Sequence, residues 1–192
     1  MQQAGVMSAK DGRKMSEGLQ RFRDAQKEDY DIALSEIKSE RKRSHWMWYI
    51  FPQIHGLGFS SISEFYSIKN IREAEDYMDD PVLGAHLTEI SQVLLDLDSS
   101  DPHQIFGSPD DMKLLSCMTL FEKVSPDNKV FPQVIDKFYG GRRDQKTLEI
   151  LKNDETPTEL TDRKVYDTPI GPVCMSCTEH EKYMEEQELR KK

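Results

Sequence analysis

Residues 80–97 read DPVLGAHLTEISQVLLDL, and this stretch is the clearest indication of the fold. Asp80 followed by Pro81 is a typical helix start, because the carboxylate accepts hydrogen bonds from the first backbone N–H groups and proline suits the first turn. The apolar side chains that follow recur at the spacing of one helix face, which predicts an amphipathic helix. These side chains are Leu83, Leu87, Ile90, Leu94 and Leu97.

The same helical periodicity continues on both sides of this stretch. Further helices are predicted to begin at or near Leu19, Trp46, Ser61, Ile71, Asp110, Phe131 and Asp144. Strand-like alternation is not convincing anywhere, apart from a short extended piece at residues 50–54. We therefore expect a mainly α fold, a compact single-domain multi-helix array.

Composition divides the chain into three parts. Residues 1–16 are small and polar without periodicity, and we expect them to form a flexible, disordered leader. The helical domain is expected at residues 17–152. Residues 153–192 are polar and interrupted by prolines, which predicts a disordered tail whose end has the composition of a short charged helix.

Charge and cysteine content limit the class of protein. The formal net charge is -9, which disfavours nucleic acid as the main partner because phosphate backbones would be repelled. The 3 cysteines do not resemble a disulfide framework and fit a reducing compartment. Neither an N-terminal apolar signal region nor an apolar run of membrane-spanning length is visible, so we expect a cytoplasmic protein without a membrane partner.

Residues 41–60, RKRSHWMWYIFPQIHGLGFS, carry most of the candidate functional residues. A basic run, two tryptophans and a Gly-Leu-Gly turn could bind a flat, phosphorylated molecule, since indoles stack on rings and backbone amides at a helix start favour anions. The same groups could form an aromatic core with a loop beside it. The predicted ligand-binding residues are Gln26, Lys42, Arg43, Trp46, Trp48, Gln53, Gly56, Gly58, Ser60 and Lys113.

Two details of this stretch refine the expectation. Trp46 and Trp48 lie two residues apart on a predicted helix, so at most one should face a ligand while the other faces the core. The glycine turn leads into a helix for which Ser61 and Glu64 are predicted to form a capping box.

His45 is the predicted catalytic acid or base, because imidazole titrates near neutral pH. Cys174, Cys177 and His180 have a spacing seen in metal sites, but a closed zinc site needs a fourth ligand that the tail does not offer. We therefore predict neither a metal site nor a cofactor.

Several short motifs occur in one order along the chain. They are FRDAQ at residues 22–26, HWMW at 45–48, PQ at 52–53, GLG at 56–58, PVLG at 81–84, DDMKL at 110–114 and MTLF at 118–121. In this order they resemble the mainly bacterial domain-of-unknown-function family eighteen-ten, sometimes mislabelled calpastatin, over residues 19–151. The resemblance implies a compact, mainly helical fold and brings no catalytic residues with it.

The helical layout and the Ala-Gln pair at residues 25–26 also bear a more distant likeness to the NADAR proteins, which act on N-glycosidic bonds. This likeness does not place the catalytic carboxylates of those proteins on particular residues of this chain.

Two functions remain open from the sequence. One is a pocket for a nucleotide-like or phosphorylated heterocyclic ligand, with cleavage or transfer at an N-glycosidic bond if the protein is an enzyme. The other is a protein-interaction module without chemistry, in which the aromatic block is structural core.

Overall fold

A computed structural model describes residues 17–155, 164–168 and 171–175 of the chain. The expected leader at residues 1–16 and much of the expected tail lie outside these residues. The chain separates into two compact units, Met1–Leu151 and Lys152–Lys192.

Helices make up the described part of the first unit, after a 3-10 turn at Glu17–Leu19, and the last of them continues into the second unit. In chain order they are α1 (Gln20–Lys38), α2 (Met47–Ile50), α3 (Ser61–Phe65), α4 (Ile71–Asp79), α5 (Leu83–Asp96), α6 (Pro102–Phe106), α7 (Asp110–Val124), α8 (Val130–Tyr139) and α9 (Gln145–Glu155). The predicted mainly α fold is confirmed.

Local capping explains where several helices begin and end. Asp80 Oδ1 accepts hydrogen bonds of 3.0 Å from the backbone N–H groups of Val82 and Leu83, as its position before α5 predicts. Gly140 takes a left-handed conformation and ends α8.

The predicted capping box of α3 is wrong by one residue. Ser60 has extended backbone angles and is the N-cap, and its hydroxyl exchanges hydrogen bonds with Ser63 rather than Ser61 pairing with Glu64. A serine run offers several equivalent cap positions, and the chain entering α3 is extended only up to Ser60.

The core lies around α7, which packs against α4, α6 and α8, while α5 packs against α1, α4 and α8. Every residue of α7 at positions 114–121 is buried. Helix α1 contributes one face to the core, which buries Phe22, Tyr30, Ala33 and Ile37 together with the amide of Gln26.

The second unit contains a structure that the sequence does not predict. β1 (Lys164–Thr168) and β2 (Gly171–Met175) pair as an antiparallel hairpin in which Asp167 lies opposite Pro172. The strands lack a clear apolar alternation, and their pairing rests on backbone hydrogen bonds, which do not require one. In the first unit, the predicted extended piece contributes an isolated bridge between Ile54 and Ile68.

Among the described helices, none is both long and apolar enough to cross a bilayer. The cytoplasmic location stays a prediction.

Candidate functional site

A groove of about 980 Å³ opens in the first unit. Its walls come from α2, the loop that follows it, the first half of α7, the end of α8 and the start of α9. Small-molecule sites commonly enclose roughly 300–1,000 Å³, so the groove is large enough for a nucleotide-sized ligand.

Part of the groove lining is apolar. It is formed by Trp48, Leu57, Phe59, Met112 and Leu115. Phe59 and Met112 are exposed by 90% and 53%, respectively, so this part of the lining is open to solvent as well as to the groove.

Another part of the groove lining is positively charged. The groove is lined by Lys113, Arg142, Arg143 and Lys146, with the carboxylate of Asp144 among them. A cationic groove in an acidic chain attracts anions, because the remaining surface repels them.

Lys113 connects the cationic and the apolar part of the lining. Its Nζ atom lies 4.7 Å from the ring centroid of Trp48, which is a cation–π contact, and it donates a 2.7 Å hydrogen bond to Asp110 Oδ1. Lys42 Nζ lies 2.7 Å from Asp110 Oδ2, so one carboxylate bridges two lysines.

Burial opposes the ionisation of Asp110, but the hydrogen bonds from Lys113 and Lys42 outweigh it and hold the pKa of that carboxyl below its ordinary value. The three charges are mostly shielded from solvent. Their pairing fixes the position of Lys113 beside Trp48.

The remaining cations differ in how firmly they are held. Arg143 Nε donates a 2.9 Å hydrogen bond to Glu122, and Arg143 Nη1 donates to the carbonyl of Gly141 at 2.6 Å. Arg142 and Lys146 are exposed. These two side chains are therefore the most available for an anion in the groove.

Asp144 is held by a small polar network at the start of α9. Its Oδ2 atom accepts hydrogen bonds from Ser116 Oγ at 3.1 Å, Thr147 N at 3.0 Å and Thr147 Oγ1 at 2.6 Å. Asp144 therefore caps the N-terminus of α9, as the sequence predicts for a helix that begins at this residue.

Some of the predicted ligand-binding residues meet in this groove. They are Trp48, Gln53, Gly58, Ser60 and Lys113. The other predicted residues do not line it, namely Gln26, Lys42, Arg43, His45, Trp46 and Gly56.

The two tryptophans differ as expected for residues two apart. Trp46 is fully buried and packs near Phe51 and Phe106, with ring centroids 6.2 and 6.4 Å away. Trp48 is half-buried and lines the groove.

Gln26 lies in the core with its amide fully used. Its Nε2 atom donates to the carbonyl of Tyr49 at 2.7 Å and to Tyr77 Oη at 2.9 Å, and its Oε1 lies 2.8 Å from His86 Nδ1. Because Nε2 faces a carbonyl, Oε1 must be the acceptor, and His86 therefore carries its proton on Nδ1. This amide connects α1, α2, α4 and α5.

Arg43 and His45 flank a segment that a carboxylate holds in place. Glu36 Oε2 accepts hydrogen bonds from Arg43 N at 2.8 Å, Ser44 N at 3.0 Å and Trp46 Nε1 at 2.9 Å. The side chains of Arg43 and His45 are exposed.

Gly56 serves the backbone rather than the groove wall. Its φ of +96° lies in the region that favours glycine, and a Cβ there would meet Ile150 at 3.6 Å.

Several groove residues were not predicted from the sequence. They include Phe59, Met112, Tyr139, Arg142, Arg143, Asp144 and Lys146. The basic pair at residues 142–143 after a Gly-Gly helix end was a usable signal, since it repeats the combination of cations and a helix start seen at residues 41–60. The described residues contain no group of histidine, cysteine and carboxylate side chains that could hold a metal ion. Cys177 and His180 lie outside the described residues.

Comparison with known proteins identifies the family and one solved relative. A comparison with curated proteins finds no match. The crystal structure of the conserved hypothetical protein Rv1873 from Mycobacterium tuberculosis matches with a TM-score of 0.69 and 39% sequence identity, covering 70% of this chain and 96% of that one. The family model described as Protein of unknown function (DUF1810) matches residues 16–151. The chain therefore belongs to the DUF1810 family.

Proposed function

We propose that the groove binds a small anionic ligand with an aromatic heterocycle, such as a nucleotide-like or phosphorylated ring compound. The observation that carries this proposal is the placement of charge. Four cationic side chains and one carboxylate line the groove, although the chain as a whole has a net charge of -9. Cations gathered in one concave surface raise the local concentration of an anion.

The apolar residues of the groove are the evidence for an aromatic ring in the proposed ligand. Lys113 occupies one side of Trp48, so a ligand ring would stack on the remaining surface of the indole, a contact worth about 1–3 kcal/mol per base in nucleic-acid complexes. Gln53 lines the same groove and can offer an amide to the edge of a heterocycle.

The proposal concerns binding. Cleavage or transfer at an N-glycosidic bond stays a separate prediction. His45 does not line the groove, and the groove carboxylate, Asp144, has one oxygen already occupied by three hydrogen-bond donors.

The second candidate function, a protein-interaction module, is supported by a different observation. Phe59, Ile62 and Phe65 are exposed apolar side chains on and before α3, with exposed fractions of 90%, 40% and 58%, respectively. Exposed apolar patches often mark docking surfaces.

Matched ligand pairs distinguish the two functions. Native mass spectrometry of freshly purified protein is followed by thermal-shift titration with FMN against riboflavin and AMP against adenosine. We expect a phosphorylated member to raise the Tm, since a ligand at about 100 times its Kd stabilises by about 2.7 kcal/mol, and its unphosphorylated counterpart to do so far less.

Charge reversal at the exposed cations locates the binding. The double variant Arg142→Glu with Lys146→Glu is expected to abolish the shift, whereas Arg72→Glu, an exposed cation on α4 outside the groove, retains it. A protein that carries no ligand and responds to neither pair would contradict the proposal and favour the interaction module. Equal shifts for FMN and riboflavin would contradict the phosphate contact.

A further inference from the structure

The loop that contains Phe59 exposes an aromatic side chain, and the short helix in this loop buries none of its residues. Phe59 lines the groove but is 90% exposed. Helix α3, which follows directly, has no buried residue. A phenylalanine in this position is poorly accounted for by packing, because its ring contributes little to the core.

The loop is fastened at its two ends. His55 N donates to the carbonyl of Ile68 at 2.8 Å, and Ile68 N donates to the carbonyl of Gln53 at 2.8 Å. Arg21 holds the returning end through a 2.7 Å hydrogen bond to the carbonyl of Ser67. Residues 55–67 therefore form a compact loop with closed ends, of the Ω-loop kind that frequently carries function.

Tyr66 and Leu57 also pack against the core, and the Tyr66 ring lies 6.0 Å from Phe22 and 5.1 Å from Tyr49. The tip between them, residues 58–65, is held mainly by its own atoms. The hydroxyls of Ser60 and Ser63 lie 2.9 Å apart and cap α3 internally. Gly56 has a φ of +96°, a conformation that marks the point where the loop leaves its fixed base. The tip at residues 58–65, between Leu57 and Tyr66, contains no buried residue, so it can move as one piece about these two anchors.

We propose that the tip of this loop, residues 58–65, forms a lid that closes over the groove, and that Phe59 provides the second aromatic face for the ligand ring, with Trp48 as the first. This inference rests on the proposed function of the groove. Closure removes Phe59 from water and shields the ring from solvent, so the ligand supplies the packing that the free loop lacks.

Two variants within the same loop test the role of Phe59. The affinities of the wild type, Phe59→Ala and Phe65→Ala for FMN and AMP are measured by titration. Phe65 is the matched control, because it is exposed by 58% in the same loop but does not line the groove. We expect Phe59→Ala to weaken binding roughly five- to hundred-fold, the range for losing one stacked ring. Phe65→Ala should change it little, and both variants should retain the wild-type Tm without ligand.

Hydrogen exchange tests closure separately. Backbone amides of residues 58–65 are expected to exchange rapidly in the free protein and to be protected when the bound probe is present. Weakened affinity without this protection would overturn closure of the loop.

Failure of the lid can be told apart from failure of the groove. If Phe59→Ala binds like Phe65→Ala while Arg142→Glu with Lys146→Glu still abolishes binding, the lid is refuted and the groove proposal stands. If neither FMN nor AMP binds the wild type, both proposals are refuted.

Discussion

Glu36 illustrates how one residue organises the basic and aromatic stretch at residues 41–60. Its carboxylate accepts hydrogen bonds from the backbone N–H groups of Arg43 and Ser44, from the Ser44 hydroxyl at 2.6 Å and from the indole of Trp46. Burial opposes its ionisation, but these four donors outweigh it and lower the pKa of Glu36 from 4.5 to about 2. The chain entering α2 is therefore tied to α1 by an ionised group.

Replacement of this carboxylate should reduce stability near neutral pH. Glu36→Gln keeps the size but cannot accept from all four donors, and leaving a buried indole N–H without a partner costs about 1–3 kcal/mol. Urea unfolding at pH 7 measures this loss, with Glu28→Gln, an exposed glutamate of the same helix, as the control. Equal unfolding free energies for the two variants would contradict the role of Glu36.

The same residue predicts a pH dependence. Because the pKa of Glu36 is lower in the folded protein, its stabilising contribution is complete above pH 4.5 and is lost as the pH falls towards 2. The wild type should thus lose stability more steeply than Glu36→Gln between these values.

The contact between α4 and α5 depends on the absence of a side chain at one position. A Cβ on Gly84 would lie 2.2 Å from the carbonyl oxygen of Met78, a backbone atom that cannot swing aside. Glycine inside a helix normally costs about 1 kcal/mol relative to alanine, so its presence here reflects close packing.

Gly84→Ala is accordingly expected to destabilise the protein by about 2 kcal/mol or more, because overpacking outweighs the gain in helix propensity. Ala85→Gly provides the comparison, since Ala85 is exposed in the same helix and there alanine should be the more stable residue by about 1 kcal/mol. A Gly84→Ala protein as stable as the wild type in urea unfolding would show that α4 and α5 can separate at little cost.

Most of the helices were predictable from the sequence. The helices α5, α7, α8 and α9 follow directly from apolar periodicity and from caps such as Asp80 and Asp144, which act on their nearest neighbours in the chain. Helix α6 was missed, because its five residues are too few to show a helical period. The cap of α3 was wrong by one residue because adjacent serines are chemically equivalent. The hairpin at residues 164–175 was missed because its pairing leaves little trace in apolar alternation.

At the scale of the whole molecule, charge is distributed unevenly. The net charge is -9, yet the groove gathers Lys113, Arg142, Arg143 and Lys146. The last three follow α8 in the chain, far from the tryptophan at position 48 that lines the same groove. Their convergence is a property of tertiary packing, so sequence reasoning found the Trp48 side of the candidate site and missed the side formed by α8 and α9.

This distribution predicts a strong effect of salt on ligand binding. Raising NaCl from about 0.1 to 1 M shortens the screening length from about 10 to 3 Å and should weaken AMP affinity on the order of ten-fold. Adenosine affinity should stay nearly constant over the same range, because stacking does not depend on net charge. An AMP affinity that does not respond to salt would exclude a dominant role for the groove cations.

The unequal surroundings of the two indoles have an optical consequence. Trp46 is fully buried with its N–H bonded to Glu36, whereas Trp48 is half-buried beneath the ammonium of Lys113. These are the 2 tryptophans of the chain. The intrinsic fluorescence of the protein therefore combines emission from Trp46, which is shielded in the interior, with emission from Trp48 beside the groove. A ligand in the groove should change the Trp48 emission, and the Trp46 emission serves as an internal reference.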